Sequence, residues 1–194
     1  MNIRVRFSKH GCLKFIGHLD VMRYFQKAMR RAEIDMCYSE GFSPHMIMSF
    51  ASPLGLGLES DGEYMDISVK QSPSSKEAVE RLNAVMAEGI EVLSWRELPE
   101  NSKNAMASVA GADYEVRFRE GYELEEGWEK KLEKFLALPE IRIMKETKKG
   151  EQEVDIRPWV YDYHIKDQTI FLKVSAGSVH NLKPELLLKA FADW

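Results

Sequence analysis

A chain of 194 residues with 44% hydrophobic and 30% charged content reads as an ordinary globular protein, with room for one large domain or two small ones. No apolar run approaches the ~18 residues of a membrane span, and the N-terminus, MNIRVRFSKHG, lacks the apolar core of a signal peptide. Cys12 and Cys37 make no disulfide framework, so a reducing cytoplasm is the expected location. The net charge of −4 speaks against a polyanion partner, but the distribution does not: residues 1–50 hold eight basic side chains against four acidic ones, a local +4 that leaves −8 for the rest.

In chain order, IRVRF alternates apolar and basic residues with the period of a half-buried strand. HLDVMRYFQKAMRRAEI then predicts a helix, with Val21, Tyr24, Phe25, Ala28 and Ala32 as its apolar stripe and Arg23, Lys27, Arg30 and Arg31 on the other face. Asp20 in its first turn and Arg30 and Arg31 in its last suit the helix dipole. MIMSFASP and GEYMDISV read as strands joined by a wide, glycine-relieved connection. SPSSKEAVERLNAVMAEG predicts a second helix with serine caps and Gly89 as its stop, and IEVLSWREL a closing strand. The order strand, helix, strand, strand, helix, strand is that of a ferredoxin-like unit, an antiparallel sheet with helices on one face, over residues 1–98.

Residues 99–111, polar and without pattern, are the expected linker. From 112 to 194 the sequence predicts a strand at ADYEVRF and a helix over ELEEGWEKKLEKFLAL. Strands at EIRIMKET, EQEVDI, WVYDYHI and TIFLKVSA follow, then a helix at KPELLLKAFADW. Hairpin turns fall at Lys148-Lys149-Gly150 and Lys166-Asp167-Gln168, and Asp155 and Arg157 are placed to pair. The expected fold class is therefore α+β, two tandem ferredoxin-like units, the second incomplete because no strand follows its last helix. The native chain is expected to continue beyond Trp194.

The segment from Lys14 to Ile67 resembles the radical-SAM-linked protein family, an uncharacterised domain fused to or encoded beside a radical S-adenosylmethionine enzyme with a cobalamin-binding region. The resemblance runs through Lys14, Phe15 and the Gly17-His18-Leu19-Asp20 tetrad into the arginine-rich helix at Arg23, Arg30 and Arg31. It continues through the turn Tyr38, Ser39, Gly41, Phe42, Ser43, Pro44, His45, then Gly57, Glu59 and Ser60, and ends at Glu63 and Tyr64. EVDIRPWV and NLKPELLLKA also look like family segments. The resemblance implies a radical S-adenosylmethionine protein as partner; RNA as the setting (tRNA, rRNA or ribosome) rests on charge placement and fold analogy. A weaker likeness, in fold alone, is to the CRISPR repeat-processing endoribonucleases.

Three constellations carry chemistry. Arg4, Arg6, Lys9, Lys14, Arg23, Lys27, Arg30 and Arg31, with Phe15, Tyr38, Phe42 and Tyr64 nearby, are what a single-stranded RNA platform needs; the plainer alternative is that the aromatics form the core and the arginines pair with Glu33, Asp35 and Glu40. Gly41, Ser43, Pro44, His45, Gly57, Glu59 and Ser60 make a strand connection first and an RNA- or partner-contacting loop second. His18 and His45, with Asp20 to orient an imidazole, are candidates for the acid–base pair of a metal-independent ribonuclease, or else a helix cap. No metal site and no cofactor are expected: the cysteines and histidines lack ligand spacing, and GLGLES is neither a Walker nor a Rossmann loop. The expected function is an RNA-associated accessory protein, the alternatives an endoribonuclease or a protein-docking module.

Overall fold

The alternation in IRVRF decides which way the first strand faces. A computed structural model of the chain describes residues 1–122, 124–147 and 150–194. They form two compact units, Met1–Ser108 and Val109–Trp194. In the first, β1 (Asn2–Lys9) turns Ile3, Val5 and Phe7 into the core. α1 (His18–Arg31) lays Val21, Phe25, Ala28 and Met29 on the same side. The Phe7 and Phe25 ring centroids are 4.7 Å apart, and Phe50 of β2 (Met48–Phe50) completes an edge-to-face cluster at 5.9 and 6.0 Å.

With β3 (Ser60–Ser68) and β4 (Ile90–Glu97), these strands make a four-stranded antiparallel sheet in the order β2-β3-β1-β4. β2 is shorter than the strand expected over residues 46–53. Met46 bridges Tyr38 instead, and Pro53 has no N–H to extend the ladder. α2 (Ser75–Asn83) starts at the expected cap, where Ser74 Oγ accepts from the Glu77 amide at 3.3 Å. It stops six residues before Gly89 because the Asn83 side chain exchanges two hydrogen bonds with the Val92 backbone, at 2.9 and 2.8 Å, tying the chain to β4.

The segment expected as a linker holds a helical turn, α3 (Ala105–Ser108), attached to the first unit. Its Ala105 amide donates to Asp66 Oδ2 at 2.6 Å, and Arg4 donates to the Lys103 carbonyl at 2.9 Å.

The second unit contains β5 (Gly111–Arg117), α4 (Trp128–Leu136), β6 (Arg142–Thr147), β7 (Gly150–Asp155), β8 (Val160–Lys166), β9 (Thr169–Ser175) and α5 (Pro184–Asp193). An antiparallel sheet in the order β5-β9-β8 is covered by Trp128, Leu132, Phe135 and Leu136, and β6 and β7 form a separate hairpin. α4 begins five residues later than expected, after Gly127 at φ +82°; Glu123 lies outside the described residues. The turn between β8 and β9 falls where expected, with Asp167 and Gln168 both left-handed, the conformation that fits strand twist. Of the other expected turn, Lys148 and Lys149 lie outside the described residues.

Asp155 and Arg157 do not form the expected side-chain pair. Asp155 Oδ1 accepts from the backbone amides of Ile141 and Arg157, and the Arg157 guanidinium donates to the Val160 carbonyl. The architecture is α+β, with antiparallel sheets and helices throughout. Because Phe25 is fully buried inside the aromatic cluster, Phe25→Ala is expected to cost about 3–5 kcal/mol in urea unfolding. The fully exposed Phe42→Ala is expected to change stability by less than about 0.5 kcal/mol.

Candidate functional site

The packing of Phe25 and Met29 fixes the rotation of α1, so Arg23, Lys27, Arg30 and Arg31 all face solvent. At 3.6 residues per turn, Arg23, Lys27 and Arg30 fall within an arc of about 60°. Arg23 meets Asp20 at 3.2 Å, an exposed pair of little strength. Arg31, though exposed, lies over the Tyr24 ring, 5.9 Å from its centroid, and donates to the Val85 carbonyl at 2.9 Å. Lys27 and Arg30 have no ion-pair partner among the described residues. Nor do Glu33 and Glu40 pair with an arginine there, and Asp35 takes Lys70 at 3.4 Å.

The basic residues of β1 do not join this face. Strand alternation points Arg4 and Arg6 away from α1, to the other side of the sheet. Arg4 donates two hydrogen bonds to Asp66 at 2.8 and 3.0 Å, which holds its charge more firmly than usual. Arg6 donates to the Asp61 carbonyl at 3.0 Å. The single cationic surface read from the sequence is therefore divided between two faces.

The Gly-Phe-Ser-Pro-His turn is closed by its own ends. The His45 amide donates to Ser39 Oγ at 3.1 Å, and that oxygen lies 2.8 Å from His45 Nδ1. Gly41 takes φ +110°, while Phe42, Ser43 and Pro44 project into solvent and Tyr38 is exposed beside them. The glycine loop is stitched to a 3-10 turn at Gly11–Phe15. The Gly57 amide, at φ +81°, donates to the Lys14 carbonyl at 2.8 Å, and Glu59 accepts from the Gly11 amide and Lys14 Nζ at 3.2 and 3.1 Å. Lys14 pulls the Glu59 carboxyl below the ordinary carboxylate range. Ser60 Oγ donates to Glu63 Oε1 at 2.8 Å.

The candidate acid–base residues are not brought together. His18 packs edge-on against Phe50 at 5.1 Å, and His45 answers to Ser39; no hydrogen bond or ring contact joins them among the described residues. Asp20 bonds Arg23, not an imidazole, and the α1 cap is Gly17 with no side-chain bond, so the expected His18/Asp20 cap is absent too.

Lys9, counted among the cations of the RNA platform, is instead buried, in a cluster that the sequence reading did not group. Lys9 is only 2% exposed, its ammonium donating to the Ile16 carbonyl at 3.4 Å. Burial lowers its pKa, against the pull of Glu63. Glu63 is pushed above the ordinary carboxylate range by burial, against Ser60 and Lys9. Both line a cavity of about 10 Å³ with His18 and Ser52, and Leu54, Phe7, Val21 and Phe50 supply its apolar lining. The signal was the strand period itself: Ile3, Val5, Phe7 and Lys9 share one phase, so the lysine is carried to the buried side. Among the described residues no group of three or more metal-ligating side chains converges, and no helix is long and apolar enough to cross a membrane.

A raised folded-state pKa means that native Glu63 keeps its proton after the unfolded chain has lost it. Stability linked to this group is therefore full below its ordinary value of 4.5 and falls as pH rises through the raised one. In urea unfolding across that range, Glu63→Gln should remove this decline and be the more stable form at neutral pH. Parallel pH profiles for the two proteins would contradict it.

A search among curated proteins finds no match to the chain. A model of a bacterial protein family matches residues 2–184, which span nearly all of both units. The chain therefore belongs to the family described as an uncharacterized protein conserved in bacteria, DUF2344.

Proposed function

We propose that this protein is an RNA-associated accessory factor of the cytoplasm that presents tRNA, rRNA or a ribosomal substrate to a radical S-adenosylmethionine enzyme. The observation that carries the RNA part is the exposed arc of Arg23, Lys27 and Arg30 on α1, two of whose three cations have no carboxylate partner among the described residues. Unpaired cations at one-turn spacing are what a phosphate backbone neutralises, with release of its counterions. The partner enzyme rests on the resemblance of residues Lys14–Ile67 and on nothing in the geometry.

The reading includes two tandem ferredoxin-like units. The first has the strand and helix order of that unit, and its sheet order β2-β3-β1-β4 suits it. The second repeats part of the scheme if the β6–β7 hairpin is taken as an insertion, since β8-β9-β5 then matches β2-β3-β1. An endoribonuclease gains no support, because His18 and His45 stand in unconnected settings.

Single-stranded RNA binding by the full chain, measured at low and moderate salt, tests the proposal. Reversing Arg23, Lys27 and Arg30 to Glu should weaken binding by at least about tenfold and flatten the salt dependence by about two units of log K per log salt. Reversal of Arg4 and Arg6, on the opposite face, should matter much less. Equal loss from both sets, or no binding by the parent chain, would refute it.

A further inference from the structure

Three observations meet where α1 begins. The Lys9 ammonium is buried and has one long hydrogen bond, 3.4 Å to the Ile16 carbonyl. That carbonyl precedes the α1 cap, Gly17, which offers no side chain to the first amides of a 14-residue helix, and the first-turn carboxylate, Asp20, is engaged by Arg23. The positive end of the helix dipole and a cation thus stand together, an arrangement that a bound anion relieves. The walls beside them, Phe7, Val21, Phe50 and Leu54, are hydrocarbon.

We propose that this cavity binds a small apolar carboxylate, its oxygens on Lys9 Nζ and the first α1 amides and its hydrocarbon against Phe7, Phe50 and Leu54. Glu63 shares the cavity, faced by Lys9 from β1, by His18 from α1 and by the Ser60 hydroxyl. Two carboxyl groups in one apolar site share one proton, so Glu63 takes the proton and donates it in a hydrogen bond to the bound acid. The cavity, about 10 Å³, has room for one water. A ligand therefore enters when the uncharged strap Ser52–Leu56 lifts. The strap is pinned at its ends, by Ala51 N–H to the Tyr64 carbonyl and Gly57 N–H to the Lys14 carbonyl, both 2.8 Å. Between those ends the bond among the described residues is the long Leu58 N–H to Gly55 carbonyl, 3.4 Å, within the same loop. This site is separate from the cationic face of α1 and does not depend on RNA binding.

The test is titration of the full chain with isobutyrate, followed by NMR at the Val21 and Leu54 methyl groups. Saturable binding in the millimolar range is expected, about tenfold tighter at about pH 6 than at about pH 8 because binding takes up a proton. Isobutyramide, the uncharged isostere, should not bind. Lys9→Met should abolish binding, whereas Glu63→Gln should bind at both pH values with the pH dependence gone. If Lys9→Met fails to fold, the amide and Glu63→Gln carry the test. A short peptide with a C-terminal valine carboxylate, against its amide, separates a chain end from a free acid as the source of the group. No saturable shift at either methyl with acid or peptide, or equal binding of isobutyramide, would overturn the proposal.

Discussion

Phe7 packs its ring 4.7 Å from Phe25 and 5.9 Å from Phe50, and the functional geometry of the first unit hangs on that contact. It locks α1 at one rotation against β1. With Phe25 inward, residues 23, 27 and 30 have nowhere to point but outward, so the cationic arc is a by-product of core packing. The same strand phase that buries Phe7 carries Lys9, two residues on, beneath the helix N-terminus. One aromatic contact thus produces both an exposed row of cations and a single enclosed one.

These two kinds of charge behave differently. Exposed cations on α1 lose little by standing in water and act together only when a polyanion arrives, with an effect that salt screens. Lys9 and Glu63 are withdrawn from water, and burial shifts each toward its neutral form. Such a pair is a poor device for stability, since well-packed apolar groups serve as well or better. Their place beside the Ser52–Leu56 strap is the geometry on which the proposed carboxylate site rests.

Much of the fold was legible because its signals are local. Period-two strands, the Ser74 cap, and the left-handed pair Asp167-Gln168 depend on neighbours in sequence and appear where expected. The failures involve partners eight or nine residues away, beyond the reach of a strand or helix period. α2 ends at Asn83 because that side chain finds Val92, and β2 is trimmed because Met46 pairs with Tyr38. The assumption that Arg4 and Arg6 join the helical cations failed because it counted charges along the chain without asking which side of β1 they leave from. His18 was singled out for its chemistry, and it does line the cavity, but its companions there are Lys9 and Glu63, while His45 is absorbed in its own turn. Alternation alone turns Lys9 inward; only the folded sheet, which pairs Glu63 with Phe7, brings that carboxyl to the same cavity.

The most direct test of the outward arc is lysine acetylation footprinting of the full chain with and without single-stranded RNA. Lys27 on α1 should be protected when RNA is bound, while Lys76, also exposed but on α2, should react at the same rate in both states. Protection of neither lysine, or of both alike, would contradict the account.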